Sequence, residues 1–249
     1  MPATFSCPVD TYRQFDSADQ AGWQRQKLEF SRAHTAVVVM HAWQPPAPGA
    51  HPGWIRAVPY LTRARHILRQ TYPPLLRAIR TAGLPVFHVT GQADDPTLDL
   101  PAVPADPTWH ALCDFRENHV FPGQANRADV TAGRQARSLA PEAQPLESEA
   151  TAETGDALHR LCQQHHINHL IYLGFAVNWC LLMSPGGMVE MKRYGYLCSV
   201  VAEATAAVES RESSPHQGEY HQALWRVAVE FGFVFHDTDF ITALNAPSA

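Results

Sequence analysis

Two unbroken apolar runs, TAVVVM at Thr35–Met40 and HLIYLGF at His169–Phe175, constrain the fold more than any other feature of this sequence. Neither alternates apolar with polar residues, so neither suits a sheet that has one face in water. Both ask for a strand covered on both sides. Around them the period becomes helical. Across residues 55–82, Leu61, Ala64, Ile67, Leu68, Leu75, Leu76 and Ile79 recur at i, i+3, i+4 spacing. Pro73-Pro74 should break that helix and Gly83 should end it. Further short strands are expected at 85–89 (PVFHV), 196–201 (YLCSVV) and 233–235. Helices are expected at 156–166, at 178–194 with an interruption near 185–187, and at 218–231, with a last turn or helix at 239–244. Strand, helix and strand repeated in this way imply a mostly parallel sheet with helices on both faces. Thr35–Met40 and His169–Leu173 should be neighbours at its centre.

No linker or internal repeat divides the chain, and 249 residues suit a single domain, 1–249. Residues 1–33 read as an N-terminal extension. Residues 91–145, rich in Pro and Asp and without sustained periodicity, read as an irregular covering segment, with an oligomer contact or partial disorder as the other readings. With a net charge of −5, nothing draws the chain as a whole to nucleic acid or an anionic membrane. No apolar stretch approaches the ~18–20 residues of a membrane span. The five cysteines are irregularly spaced with no CxxC pair, so neither a disulfide framework nor a structural zinc site is expected. The opening residues lack a basic segment followed by an apolar run, which points to a cytoplasmic protein. Neither GxGxxG nor GxxxxGK[ST] occurs, so no nucleotide cofactor is expected. No cofactor is expected.

In open parallel sheets, ligands bind beyond the carboxyl ends of the strands, where loops and helix N-termini converge. Three positions qualify: His41, the loop after Val89, and Ala176–Cys180. In the last, a strand ends in Gly174, turns sharply, and presents Cys180 at the opening of a helix. Backbone N–H groups there can lower a thiol pKa and stabilise a developing oxyanion. A buried structural thiol is the alternative.

Residues 170–180 resemble a stretch of the isochorismatase-like cysteine hydrolases that reads apolar strand, Gly, two variable residues, Thr, Asn or Asp, any residue, Cys. Asn178 and Cys180 match, and Val177 replaces the threonine. Residues 196–202 followed by Glu203-Ala204-Thr205 resemble the next strand of the family, and LLRAIRTAGLPVFHV at 75–89 an earlier helix-to-strand junction. The resemblance implies a three-layer α/β/α fold with a mostly parallel six-stranded sheet, a non-proline cis peptide just before Val177, and a homo-oligomer, dimer or tetramer. It also implies Cys180 as nucleophile, with Ala176, Val177 and Asn178 around the substrate and the oxyanion.

Two departures follow from the same resemblance. His41 falls where the family has a catalytic aspartate. Where the family has a lysine, PLESEATAET at 145–154 has none; the chain's only lysines are Lys27 and Lys192. A histidine can act as the base toward a thiol. Glu147 or Glu149 could then orient the imidazole, giving a Cys–His–Glu set. The leading expectation is thus a metal-independent hydrolase of a small amide or related C–N bond, through an acyl-enzyme on Cys180. An inactive relative binding a ligand or partner in the same cleft is one alternative, and an isochorismatase-type vinyl ether hydrolase another. His110 and His119 could reach a pocket from the covering segment. Ser184-Pro185-Gly186-Gly187 reads first as a helix interruption.

Overall fold

A computed structural model describes residues 3–14, 21–91 and 106–246. The chain opens with β1 (Thr4–Arg13) and β2 (Gly22–Ser31), an antiparallel hairpin. There follow β3 (Thr35–Met40), three helices α1 (Pro52–Ala57), α2 (Leu61–Gln70) and α3 (Tyr72–Thr81), and β4 (Val86–Val89). Next come α4 (Pro107–His119), α5 (Arg127–Gln135), β5 (Ala150–Ala152), α6 (Gly155–Gln164) and β6 (His169–Phe175). The last part holds α7 (Cys180–Met183), α8 (Met188–Arg193), β7 (Leu197–Ala206), α9 (Gly218–Glu230), β8 (Val234–Phe235) and α10 (Asp237–Asn245).

All eight described strands join one sheet in the order β2-β1-β8-β7-β6-β3-β4-β5. From β8 to β5 six strands run parallel, with β3 and β6 side by side at the centre. The expected six-stranded sheet needs correction, because the hairpin of residues 1–33 is not a mere extension. It adds two antiparallel strands through Val9↔Phe235 and Asp10↔Val234, making a mixed sheet of eight. Phe5, Cys7 and Val9 alternate inward, a period-2 signal interrupted in sequence by Pro8. The outermost strand β2 exposes Arg25, Lys27 and Glu29, charges that discourage pairing with another sheet edge.

Every residue of β3 and of β6 is buried. Their side chains divide between two faces as strand geometry requires. Val37, Val39, Ile171 and Leu173 pack with Leu68, Leu75, Ile79 and Phe240 on one side. Ala36, Val38, Leu170 and Tyr172 pack with Leu158, Met191 and Val227 on the other. Layers of α2, α3 and α10, then the sheet, then α6, α8 and α9 complete the α/β/α arrangement.

The long helical pattern at 55–82 is three helices, and Pro73 and Pro74 sit in the first turn of α3, where no N–H is needed. The stretch 91–145 is less irregular than its composition suggests. It contains α4 and α5, while residues 92–105 lie outside the described part. In α4 no residue is buried, so no apolar periodicity marks it. Helix α5 docks by Gly133, where a Cβ would stand 2.0 Å from the Trp54 ring. No described helix is long and apolar enough to cross a membrane.

Candidate active site

Three adjacent strands deliver the site to the carboxyl edge of the sheet. Strand β3 ends into His41, β4 into Gly91 two residues beyond Val89, and β6 into the Ala176–Cys180 turn. Gly174 allows the last of these. It pairs with Met40 in the sheet at φ 133°, and a Cβ on it would lie 1.8 Å from the Met40 carbonyl oxygen. The chain then passes through a cis peptide at Phe175–Ala176, one bond earlier than anticipated. The Ala176 carbonyl accepts from the N–H groups of Trp179 and Leu181, which curls the turn and starts α7 with Cys180.

Cys180 is partly buried and interacts with His41, the Ser184 hydroxyl and the Ala176 N–H. Burial alone would raise its pKa. The hydrogen bond and charge of His41, with smaller help from Ser184 and Ala176, outweigh burial, and the thiol lies below its ordinary value. Cys7, Cys162 and Cys198 behave oppositely: burial pushes each up to about 12. A four-residue helix contributes little dipole; the lowering is mostly the imidazole's.

His41 is itself tightly held. It is buried, takes a left-handed backbone (φ 51°), and its ring stacks on Trp43 with centroids 5.7 Å apart. Its Nε2 meets the carbonyl oxygen of Gly91. A carbonyl only accepts, so Nε2 carries the proton, and Nδ1 of the neutral ring keeps the lone pair. Gly91 must be a glycine here, because a Cβ would stand 1.5 Å from the Glu153 carbonyl oxygen.

The glutamates expected beside His41 are elsewhere. Glu149 bonds to Arg80 at 2.7 and 2.9 Å and to His88 Nε2 at 2.9 Å, and caps the Leu146 N–H. Glu147 is exposed and lines no described cavity. The reason is β5, which runs parallel to β4. Residues that precede a parallel strand emerge at the amino edge of the sheet, the wrong end for the thiol. The partner that orients His41 is a backbone carbonyl.

The proposed oxyanion residues divide as well. Ala176 faces the cavity. The Val177 N–H is taken by the Ala206 carbonyl, and the Val177 side chain is buried core. Both ends of the Asn178 amide clasp the backbone of Val208 at 2.9 Å. That side chain ties the turn to the end of β7 and is not available to a substrate. His110 and His119 do not line the cavity.

The cavity above Cys180 measures about 480 Å³, within the range of small-molecule sites. Trp43, Trp54, Tyr60, Phe121, Phe175 and Trp179 supply aromatic walls. Arg134 and Arg137, from α5 and the residue pair beyond it, supply positive charge. Lys27 and Lys192 are not in it. Nothing in the sequence pointed to these arginines, because their segment lacks a readable period. Ser184, one turn after Cys180, is a contact of the thiol and not only a helix interruption.

No family model and no curated protein matches the chain. Among solved structures, a cysteine hydrolase from Pseudomonas syringae pv. phaseolicola 1448A superposes with a TM-score of 0.52 at 14% identity, over 86% of this chain and 94% of that one. A putative isochorismatase from Burkholderia xenovorans LB400 gives 0.48 at 15% identity, over 86% and 90%. N-carbamoylsarcosine amidase from Thermoplasma acidophilum gives 0.44 at 14%, over 82% and 96%. The first of these carries the comparison, and it concerns the fold: the chain has the cysteine hydrolase fold that its resemblance to the isochorismatase-like family implies.

Proposed function

We propose that the protein is a hydrolase that cleaves an amide or related C–N bond through an acyl-enzyme on Cys180, with His41 as the base. The observation that carries this reading is the Cys180–His41–Gly91 relay. The Gly91 carbonyl holds Nε2–H and leaves Nδ1 to take the thiol proton. It orients the imidazole as a buried carboxylate does in convergent triads, but without a full negative charge.

In the reaction so read, the Cys180 proton passes to His41 and the thiolate adds to the substrate carbonyl. The N–H of Ala176, which helps to lower the thiol pKa, would support the oxyanion. On collapse the C–N bond breaks, and the leaving nitrogen takes the proton from His41. Water then enters, gives a proton to Nδ1, and attacks the thioester; the returning thiolate recovers that proton as the acid leaves. No carboxylate among the described residues takes part.

4-Nitrophenyl acetate tests the reading without knowledge of the natural substrate. The expected result is a burst of nitrophenolate, an acetyl group found on Cys180 by mass spectrometry, and slow turnover, all absent in Cys180→Ala. Acetylation spread over other residues, or a burst that survives in Cys180→Ala, would remove Cys180 as the nucleophile.

A further inference from the structure

The cavity has a charge character of its own. The chain as a whole carries a net charge of −5, yet Arg134 and Arg137 face this space, and no carboxylate stands among the described residues lining it. The Arg137 guanidinium lies 5.5 Å from the centroid of the Trp43 ring. Trp43 in turn stacks on His41, so the cation sits one indole away from the base. The arrangement is built in place. The Gln44 N–H donates to the Ser138 carbonyl and the Ala140 N–H to the Ala42 carbonyl, at 2.8 and 2.9 Å. These bonds strap the chain just after Arg137 across the chain just after His41. A half-buried guanidinium on an aromatic face recognises planar anions well, because its fork matches a carboxylate.

We propose that the natural substrate is an anion, a carboxylate carried on an aromatic or bulky apolar body, with Arg137 and Arg134 binding the carboxylate about one ring's width from the carbonyl that Cys180 attacks. This inference rests on the hydrolase reading above. The tryptophans and Tyr60 take the body of the substrate, and the arginines fix which end faces the thiol. A neutral amide of the same shape would lose the charged anchor and bind with its carbonyl poorly placed.

Two alkylating agents of nearly equal size, iodoacetate and iodoacetamide, separate the two readings. Both form a thioether on Cys180 and release iodide; only the first carries a carboxylate. The quantity to measure is the ratio of their rates at Cys180, against the same ratio for N-acetylcysteine. The iodoacetamide rate reports the activated thiol and therefore the hydrolase reading. The ratio reports the arginines. The ratio at Cys180 is expected to exceed that of the free thiol about tenfold, the order expected of a nearby cation in a shielded site. It should fall toward the free-thiol value in Arg137→Gln and in Arg134→Gln, and persist in Arg137→Lys. Phenylacetate should also protect Cys180 from iodoacetamide at concentrations where toluene does not. Fast iodoacetamide labelling with a ratio equal to that of N-acetylcysteine, or a ratio unmoved in both glutamine variants, would overturn the anion site and leave the hydrolase reading standing. Slow iodoacetamide labelling would instead overturn the reading on which it rests. Circular dichroism of each variant distinguishes a lost anchor from a lost fold.

Discussion

Two of the three buried histidines among the described residues, His41 just after β3 and His88 on the neighbouring β4, have opposite fates. His41, at the carboxyl edge, has Nε2 bound to a neutral carbonyl, lowers the pKa of the Cys180 thiol and lines the same cavity as that thiol. His88, within β4, has Nε2 bound to Glu149, which is bound in turn to Arg80, while its Nδ1 meets no partner among the described residues. Burial and the Arg80 charge lower His88, against the pull of Glu149. A cavity of about 300 Å³ opens beside this ion pair at the amino edge, yet His88 is not on its wall. An imidazole with a carboxylate partner thus looks more like a triad histidine than His41 does, and it has nothing to deprotonate. What decides catalytic use is access of the free nitrogen to a proton donor and a substrate.

The sharpest way to break this comparison is to delete each ring. His41→Ala should slow alkylation of Cys180 by iodoacetamide at neutral pH at least about 100-fold, the scale of a lost general base. His88→Ala should leave that rate within about twofold and lower stability instead, because it opens a buried cavity. Equal effects on Cys180 would mean that the two histidines do not differ as argued.

A second test moves the strand that carries the thiol. Gly174→Ala forces a Cβ onto the Met40 carbonyl and should cost about 2–4 kcal/mol in urea denaturation. In the fraction that folds, Cys180 labelling should slow, since β6 must retreat from β3. Unchanged stability would show that the close approach is not required.

The ion pair of the amino edge can be separated from chemistry by Glu149→Gln. Burial raises this carboxyl, but Arg80, the Leu146 N–H and His88 hold it net below the ordinary range. A depressed carboxylate contributes stability above its unfolded pKa and loses it as pH falls through the folded value. The variant should therefore be less stable than wild type by about 2–3 kcal/mol at neutral pH. The difference should shrink below about pH 4, as followed by thermal melts. Cys180 labelling should not change.

The smallest effect is expected at the far end of the sheet. His236 bridges Glu203 at 2.7 Å and Asp10 at 2.9 Å, tying the hairpin to β7, and its pKa rises to about 9, chiefly through Glu203. A raised histidine contributes fully below its unfolded value of about 6.5 and loses the contribution as pH climbs through about 9. After allowance for the partly exposed carboxylates, His236→Gln should cost about 1 kcal/mol at pH 6 and less near pH 10. A penalty that grows toward high pH would contradict the bridge.

Most of the parallel sheet was legible in the chain because its signals are local. Runs such as Thr35–Met40 and His169–Phe175, short, apolar and flanked by helical patterns, read as buried strands, and the expected pairing of these two is observed. The position of Cys180 after a strand, a glycine and a turn is equally local. The hairpin was hidden by a polar outer strand and by Pro8, although Phe5, Cys7 and Val9 already showed the right period. Helix α4 was hidden because it buries nothing.

By itself, then, the sequence determined a parallel α/β core and a cysteine at its carboxyl edge, since burial on both faces and a strand-ending glycine are written in consecutive residues. Only the tertiary structure decided what surrounds that cysteine. A strand as short as Ala150–Ala152 has no apolar pattern to announce it, yet its parallel direction sends Glu149 to the opposite edge of the sheet. The orienting group of His41 is the Gly91 carbonyl, and every residue carries a carbonyl, so composition cannot single one out. Arg134 and Arg137 reach the cavity through contacts between segments far apart in the chain, α5 against α1 and 138–140 against 42–44. Such contacts are settled by the packing of the whole chain and leave no local trace.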